Sequence, residues 1–155
     1  MPSFDIRRLD ADDMTEAAAV HRAAFNAALP SLADLHTPAE DRVYWREHLF
    51  ETCTIWGATE GRHLLGVIAV RPGWIEQLYI LPGRQGEGIG SALLARARKG
   101  QVTLDLWTFQ VNDRARRFYE TRGFVAVEQT DGRGNEEREP DIRYRWQVQT
   151  GWSAT

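Results

Sequence analysis

Apolar positions along the chain change period several times, and each change marks an element. Phe4 and Ile6 alternate with polar neighbours, as a first strand would. After Asp10 or Asp12, either of which can cap, apolar residues recur at helical spacing to about Ala28, and Pro30 ends the run. Ala17, Val20, His21 and Ala24 share one face of that helix and form its expected buried stripe. His21 therefore reads as a satisfied core or edge histidine rather than a metal ligand, since no neighbouring residues supply ligand spacing. Residues 29–36 carry no period. Thr37-Pro38-Ala39-Glu40 then combines a capping box with Pro at the first helical position, so a second helix begins at Pro38. Its Val43, Tyr44, Trp45, His48 and Leu49 either pack against a sheet or line a pocket.

From Thr52 the period shortens to that of strands. Residues 53–58, 63–70 and 74–81 are apolar runs separated by turn signals at Thr59-Glu60-Gly61 and Pro72-Gly73, which predicts an antiparallel meander. A glycine-rich turn follows the third run and opens a helix from Gly90 to Lys99. Ile89, Ala92, Leu93 and Ala97 face the sheet, and Gly100 ends it. Residues 102–109 are nearly continuously apolar, as in a strand covered on both faces. The next helix is capped by Asn112 or Asp113, has Ala115, Phe118 and Tyr119 on its inner stripe, and stops at Gly123. Residues 124–128 and 142–148 are the last strands. In the latter, Ile142, Tyr144, Trp146 and Val148 alternate with Arg143, Arg145 and Gln147, the pattern of a half-exposed edge hairpin. Residues 130–140 form a polar loop between them.

Composition narrows the class. A chain of 155 residues, 43% hydrophobic and with six Trp, has room for one core, so residues 1–155 are expected to be a single domain. A net charge of −3 argues against a protein that neutralises a nucleic-acid backbone. Cys53 is the only cysteine, which rules out a disulfide framework and a cysteine-rich zinc site. The first residues lack an apolar signal region, and no run of about eighteen apolar residues is present for a membrane span. The expectation is a soluble cytoplasmic protein without membrane or nucleic-acid partners. A homodimer stays open.

The chemistry concentrates in residues 78–99. A strand, a tight glycine turn and a helix start together make an anion cradle, because the first N–H groups of a helix have no partners and its dipole favours negative charge there. Gly83 and Gly88 have P-loop spacing, but Ile89 and Gly90 stand where Lys and Ser/Thr are required. Gly86, Gly88 and Gly90 also break the dinucleotide spacing. What remains is Gln85-x-x-Gly88-x-Gly90 after Tyr79-Ile80-Leu81-Pro82. This resembles the acetyl-coenzyme A signature, Q/R-x-x-G-x-G/A, of the GCN5-related N-acetyltransferase (GNAT) family. A second stretch, Asn112 to Phe124, resembles that family's N-x-x-A-x-x-[FL]-Y-x-x-x-G-F element residue for residue. The element order agrees with the GNAT fold, an α/β architecture with a mostly antiparallel mixed sheet, a central splayed parallel pair and flanking helices.

The resemblance implies an acetyl-CoA-dependent N-acetyltransferase that needs no metal. Backbone groups of Leu78, Tyr79 and Ile80 would meet the pantetheine arm of coenzyme A. The N–H groups of Gln85, Gly86, Glu87, Gly88, Ile89, Gly90 and Ser91 would hold its pyrophosphate. Asn112 would bond the arm from across the splay, Ala115 belongs to the same signature, and Tyr119 would point its phenol at the sulfur. Gln85 replaces the commoner Arg, so Arg84 is a candidate for the missing charge. Arg114, Arg116 and Arg117 are either ligands for the 3′-phosphate or a solvated basic face.

Acetyl transfer to a primary amine, with a pKa near 10.4, needs help with proton loss. Glu76 shares parity with Leu78 and Ile80 and is the candidate base, or else a surface carboxylate. Tyr119 is the candidate acid, or else a core ring. His36, Trp74, Glu76 and Glu137 are candidate acceptor contacts, with Trp56 as a further aromatic wall. Glu76, Glu137 and Asp141 together would favour a small cationic amine. The competing function is a domain that binds acyl-CoA without turnover, as a sensor or partner surface.

Overall fold

A computed structural model of the chain describes residues 3–149. The described residues fall into two compact units, 3–71 with 75–99, and 72–74 with 100–149.

The first unit is built on strands β1 (Asp5–Arg8), β2 (Thr54–Glu60), β3 (His63–Arg71) and most of β4 (Trp74–Ile80). β1 and β3 flank β2 in antiparallel register, with Ile6 opposite Ala58 and Trp56 opposite Ile68. β2 runs through Thr59 and Glu60, where the sequence predicts a turn, because a bulge after Ala58 lets Thr59 pair with Leu64 and Glu60 with His63. On one face Val67 and Ala69 of β3 meet Ala17, Ala18 and Val20 of helix α1 (Met14–Ala28), together with Trp45 and Leu49. On the other face Gly66 lies against Ile80, Ile89 and Leu93, the last two from helix α4 (Ile89–Arg98).

The second helical segment starts as expected, with the Thr37–Glu40 capping box and Pro38 in the first turn of α2 (Pro38–Val43). It then widens into a π-helical turn, Tyr44–Leu49, and closes with α3 (Phe50–Thr52). Trp45 and Leu49 from the π turn are fully buried. Arg22 of α1 donates from Nε and Nη2 to the buried Asp41 of α2 at 2.6 and 2.7 Å, which ties the helices together. Removing one partner of such a pair strands a charge and costs about 3–5 kcal/mol.

In the second unit β5 (Thr103–Phe109) pairs with β7 (Asp141–Gln147), and β7 with β6 (Val125–Gln129), both antiparallel. Trp74 pairs in parallel with Asp105. The hydrogen-bonded order is β1-β2-β3-β4-β5-β7-β6, a seven-stranded, mostly antiparallel sheet with one parallel pair. The alternation in residues 142–148 predicts a half-exposed edge hairpin, and β7 with β6 forms that edge, β6 outermost. What the alternation does not show is Asp105. It is buried, and Arg143 and Arg145 donate to it at 2.5 and 2.8 Å, so the polar positions of β7 serve an internal carboxylate rather than solvent. Helix α5 (Asp113–Glu120) is capped by Asn112 and followed by Gly123 in the left-handed conformation.

Candidate functional site

The glycine turn and α4 lie in the first unit. Gly86 and Gly88 have φ of 84° and 85°, the left-handed region that side chains disfavour, and a Cβ on either would meet nothing within 4 Å. Backbone conformation therefore requires glycine here, and the space above it is open. Gly88 is the N-cap of α4 and offers no side chain to the first-turn N–H groups, while Ile89 and Gly90 are buried behind them. Gln85 is half-buried and Glu87 exposed. Arg84 is committed elsewhere: its Nε donates to Glu87 at 2.9 Å and its Nη2 to Glu60 at 2.9 Å. Its cation is already balanced by two carboxylates, one on the turn and one at the end of β2.

Along β4, alternate side chains take opposite faces. Ile80 sits with Ile89 and Leu93, and Tyr79 packs against the α1 core. The Tyr79 ring stacks on His21 at 4.3 Å between centroids and 13° between planes. His21 Nδ1 accepts from the Trp45 indole at 2.9 Å, which leaves the proton of the neutral ring on Nε2. Burial lowers the His21 pKa to about 4, against a partial counter-pull from Asp41, so the imidazole is neutral near pH 7. Gln77 donates to the Tyr44 hydroxyl at 3.0 Å, and Tyr44 stacks on His48. Glu76, between Gln77 and Ile75, accepts at Oε1 from Arg71 Nε at 2.5 Å. Gln77 is absent from the sequence-predicted site, and Tyr44 enters it only as one of the second helix's candidate pocket residues. Neither falls in a motif, and the π turn that brings Tyr44 to β4 has no signature of its own.

His36 lies 3.9 Å from Glu40 across one turn, half-exposed. Trp56 is covered by Arg96 of α4 at 4.7 Å from its ring centre.

In the second unit, Asn112 Oδ1 accepts from the Ala115 N–H at 3.1 Å, which commits its carbonyl to capping and leaves its amide donors for other partners. Tyr119 is 7% exposed, ringed edge-on by Phe118 and Phe124 and 6.2 Å from Tyr144. Burial pushes its phenol pKa up, so it keeps its proton at neutral pH. Tyr144, also buried, has a committed hydroxyl, which donates to Glu120 at 2.5 Å and accepts from Arg116 at 3.3 Å. Arg116 is thus engaged, while Arg114 and Arg117 stay exposed. Trp74, at the start of β4, is half-buried. Between β6 and β7 the loop is tied from within: Asp141 accepts from Thr130 Oγ1 and, at 3.2 Å, from Asn135. Gln110 spans its ends by donating to the carbonyls of Thr130 and Asp141. Glu137 is half-buried in this loop.

Three comparisons bear on the mixed sheet and on the glycine turn at the start of α4. Residues 51–126 match the model of the acetyltransferase (GNAT) domain. An uncharacterized N-acetyltransferase of Archaeoglobus fulgidus is 25% identical over 86% of this chain and all of its own length. Among solved structures, apo YjaB of Escherichia coli superposes with a TM-score of 0.76 at 22% identity, covering 92% of this chain and 97% of its own. The PaiA N-acetyltransferase of Thermoplasma acidophilum, solved with coenzyme A, superposes at 0.69 and 21% identity, covering 94% and 99%. YncA of Salmonella typhimurium, solved with acetyl-CoA, superposes at 0.72 and 17% identity, covering 98% of each chain. Residues 51–126, just under half of the chain, thus match the acetyltransferase (GNAT) domain, and the solved structures share its fold; together the findings support a small GNAT family member and an acetyl-CoA-dependent acetyltransferase.

Proposed function

We propose that the protein moves the acetyl group of acetyl-CoA directly to the primary amine of a small acceptor that arrives as a cation. The observation that carries this reading is the open backbone cradle at Gly86 and Gly88, whose left-handed conformations face unfilled space at the start of α4. In this reading residues 1–155 act as one domain. The N–H groups from Gln85 to Ser91 take the pyrophosphate, and the backbone of Leu78, Tyr79 and Ile80 takes the arm, with the Asn112 amide as a further donor to it. The free amine attacks the thioester carbonyl, the C–N bond forms, and the C–S bond breaks. No covalent enzyme intermediate is needed.

Glu76 is assigned the proton released by the ammonium, directly or through water. Its orientation by Arg71 supports the assignment, since a base must be held within reach of the proton it takes. Tyr119 is assigned the proton delivered to the departing thiolate. Support comes from its place in the second signature and from the contrast with Tyr144, whose hydroxyl is already bonded to Glu120 and Arg116; burial, which raises the phenol pKa, makes the proton harder to give and limits the acid's contribution. A thiol with a pKa near 8.5 leaves readily, so the acid contributes less than base and positioning do. Of the acidic residues that would favour a cation, Asp141 is held within its own loop. Glu76 is ion-paired with Arg71, so the charge preference rests mainly on Glu137, with His36 and Trp74 kept as acceptor candidates.

Incubation with acetyl-CoA and a panel of primary amines, read by release of free thiol, tests the reading. Turnover with a small cationic amine is the expected result. Tyr119→Phe should lower kcat by about ten- to a thousandfold and leave acetyl-CoA affinity within a few fold. Acetyl-CoA binding without thiol release from any amine would make the protein a sensor instead. An unchanged kcat in the variant would reduce Tyr119 to a packing residue.

A further inference from the structure

Two residues of β4 are pinned from the same helical side. Gln77 donates to Tyr44 at 3.0 Å, and Tyr79 stacks on His21 at 4.3 Å. Between and just after them lie Leu78 and Ile80. In a strand, fixing the side chains of one face fixes the pleat, and with it the direction of the neighbouring N–H and C=O groups. The stack on Tyr79 is itself anchored. His21 accepts at Nδ1 from Trp45, which is fully buried in the π turn, and Phe25 and Trp45 meet the imidazole edge-on at centroid distances of 6.0 and 5.9 Å. The ring can neither rotate about its hydrogen bond nor slide without unpacking the indole. A core filler at this position needs no particular angle. Here the imidazole lies flat on the Tyr79 ring, 13° from parallel, which transmits the rigidity of α1 and the π turn to a single strand residue.

We propose that His21 is a positioning residue for the acetyl donor: through the Trp45–His21–Tyr79 stack it sets the backbone of Leu78 to Ile80 that receives the pantetheine arm. This rests on the donor reading above and adds to it a residue outside both sequence signatures. The imidazole touches neither donor nor acceptor. Its effect falls on the arm, while the pyrophosphate cradle, held by the glycine turn, is independent of it.

Two substitutions separate the ring from its hydrogen bond. His21→Phe keeps a flat ring on Tyr79 and removes the acceptor for Trp45. His21→Asn keeps a carbonyl acceptor for Trp45 and removes the ring. Equilibrium binding is measured for two probes, acetyl-CoA and adenosine 3′,5′-bisphosphate, which has the 3′-phosphate but no arm. Expected for His21→Asn is acetyl-CoA affinity weaker by about five- to tenfold with the bisphosphate unchanged, and for His21→Phe, which keeps the stack but loses its Trp45 anchor, a smaller loss of about two- to threefold for acetyl-CoA with the bisphosphate again unchanged. If His21→Asn does not fold, Tyr79→Leu removes the stack from its other side and should show the same arm-selective loss. Equal weakening of both probes, or wild-type acetyl-CoA affinity in the folded variant that lacks the stack, overturns the inference and leaves the donor reading standing. A wild-type protein that binds the bisphosphate but gains nothing from the acetyl-pantetheine arm overturns the donor reading, and this inference with it.

Discussion

The glycine turn at 82–88 and the loop at 130–140 are alike in composition and opposite in construction. Each is short on apolar residues and has glycine in the left-handed region, Gly86 and Gly88 in one and Gly132 in the other. Around Gly88 a Cβ would find open space. At Gly132 it would lie 2.5 Å from the Glu139 carbonyl carbon and 2.7 Å from its oxygen. The later loop spends its polar side chains on itself: Asn135 donates to the Glu139 carbonyl at 2.8 Å and accepts from its N–H at 3.2 Å, and Thr130 and Asp141 close the base. The glycine turn uses Arg84 to bind Glu87 and Glu60, and the Cβ positions of its Gly86 and Gly88 face open space. Such a turn leaves room for a ligand beside its backbone. A turn whose donors are satisfied internally is built to hold a shape.

The largest break in that contrast should come from Gly132→Val. A strained φ and a clash with backbone, which cannot rotate away, should cost about 3 kcal/mol or more, read as a lower midpoint in urea or heat. Acetyl-CoA should still raise the melting temperature of the surviving folded protein. Loss of that ligand response without loss of stability would show that the loop serves the donor.

Gly88→Val should do the reverse. The strained φ costs the fold about 1–2 kcal/mol, since no neighbour has to move. Acetyl-CoA at 100 times its dissociation constant stabilises a protein by about 2.7 kcal/mol, and this response should vanish in the variant. Retained stabilisation would mean that the pyrophosphate lies elsewhere.

Within the later loop, Asp141 and Glu137 should separate into structure and recognition. Asp141→Asn places an amide where the carboxylate accepts from Thr130 and Asn135, and should cost about 1 kcal/mol with the Michaelis constants unchanged. Glu137→Lys should raise the Michaelis constant for a cationic amine several-fold at constant acetyl-CoA affinity. Steady-state kinetics of the two variants side by side checks both. A Glu137 variant that loses only donor affinity would remove this loop from the acceptor side.

The features legible in the sequence are those set by local signals. Capping at Thr37-Pro38-x-Glu40, the alternation in β3, and the Asn112 cap followed by Gly123 each act within a few residues and are legible in the chain. Long-range partners are not. His21 reads as a buried histidine from its stripe, but nothing local identifies Trp45, twenty-four residues on, as its donor. The π turn is hidden because Asp41, Trp45 and Leu49 keep a four-residue spacing that an ordinary helix would also bury. Arg143 and Arg145 look solvent-facing until β5 supplies Asp105. At the candidate site the same division holds. The glycines that make the cradle are visible as a motif. The partners that fix Arg84, Glu76 and Tyr79 come from Glu60, Arg71 and His21, on other strands or helices.

The finest test of the contrast is Arg84, the one strong cation on the glycine turn. If it supplied the charge that Gln85 lacks, removing it would weaken acetyl-CoA by about tenfold or more, and the salt dependence of binding would become shallower. In the structure its guanidinium already serves Glu87 through Nε and Glu60 through Nη1 and Nη2. Turning it to a phosphate would break bonds to one carboxylate or both, and would bring their negative charge close to the ligand uncompensated. Exposed pairs of this kind contribute little to stability. Arg84→Gln should therefore change the acetyl-CoA dissociation constant by less than about threefold, with an unaltered slope against salt concentration. The measurement is a calorimetric titration at several ionic strengths on wild type and variant. A tenfold loss with a flattened slope would make Arg84 a phosphate ligand, and the turn's backbone only part of the cradle.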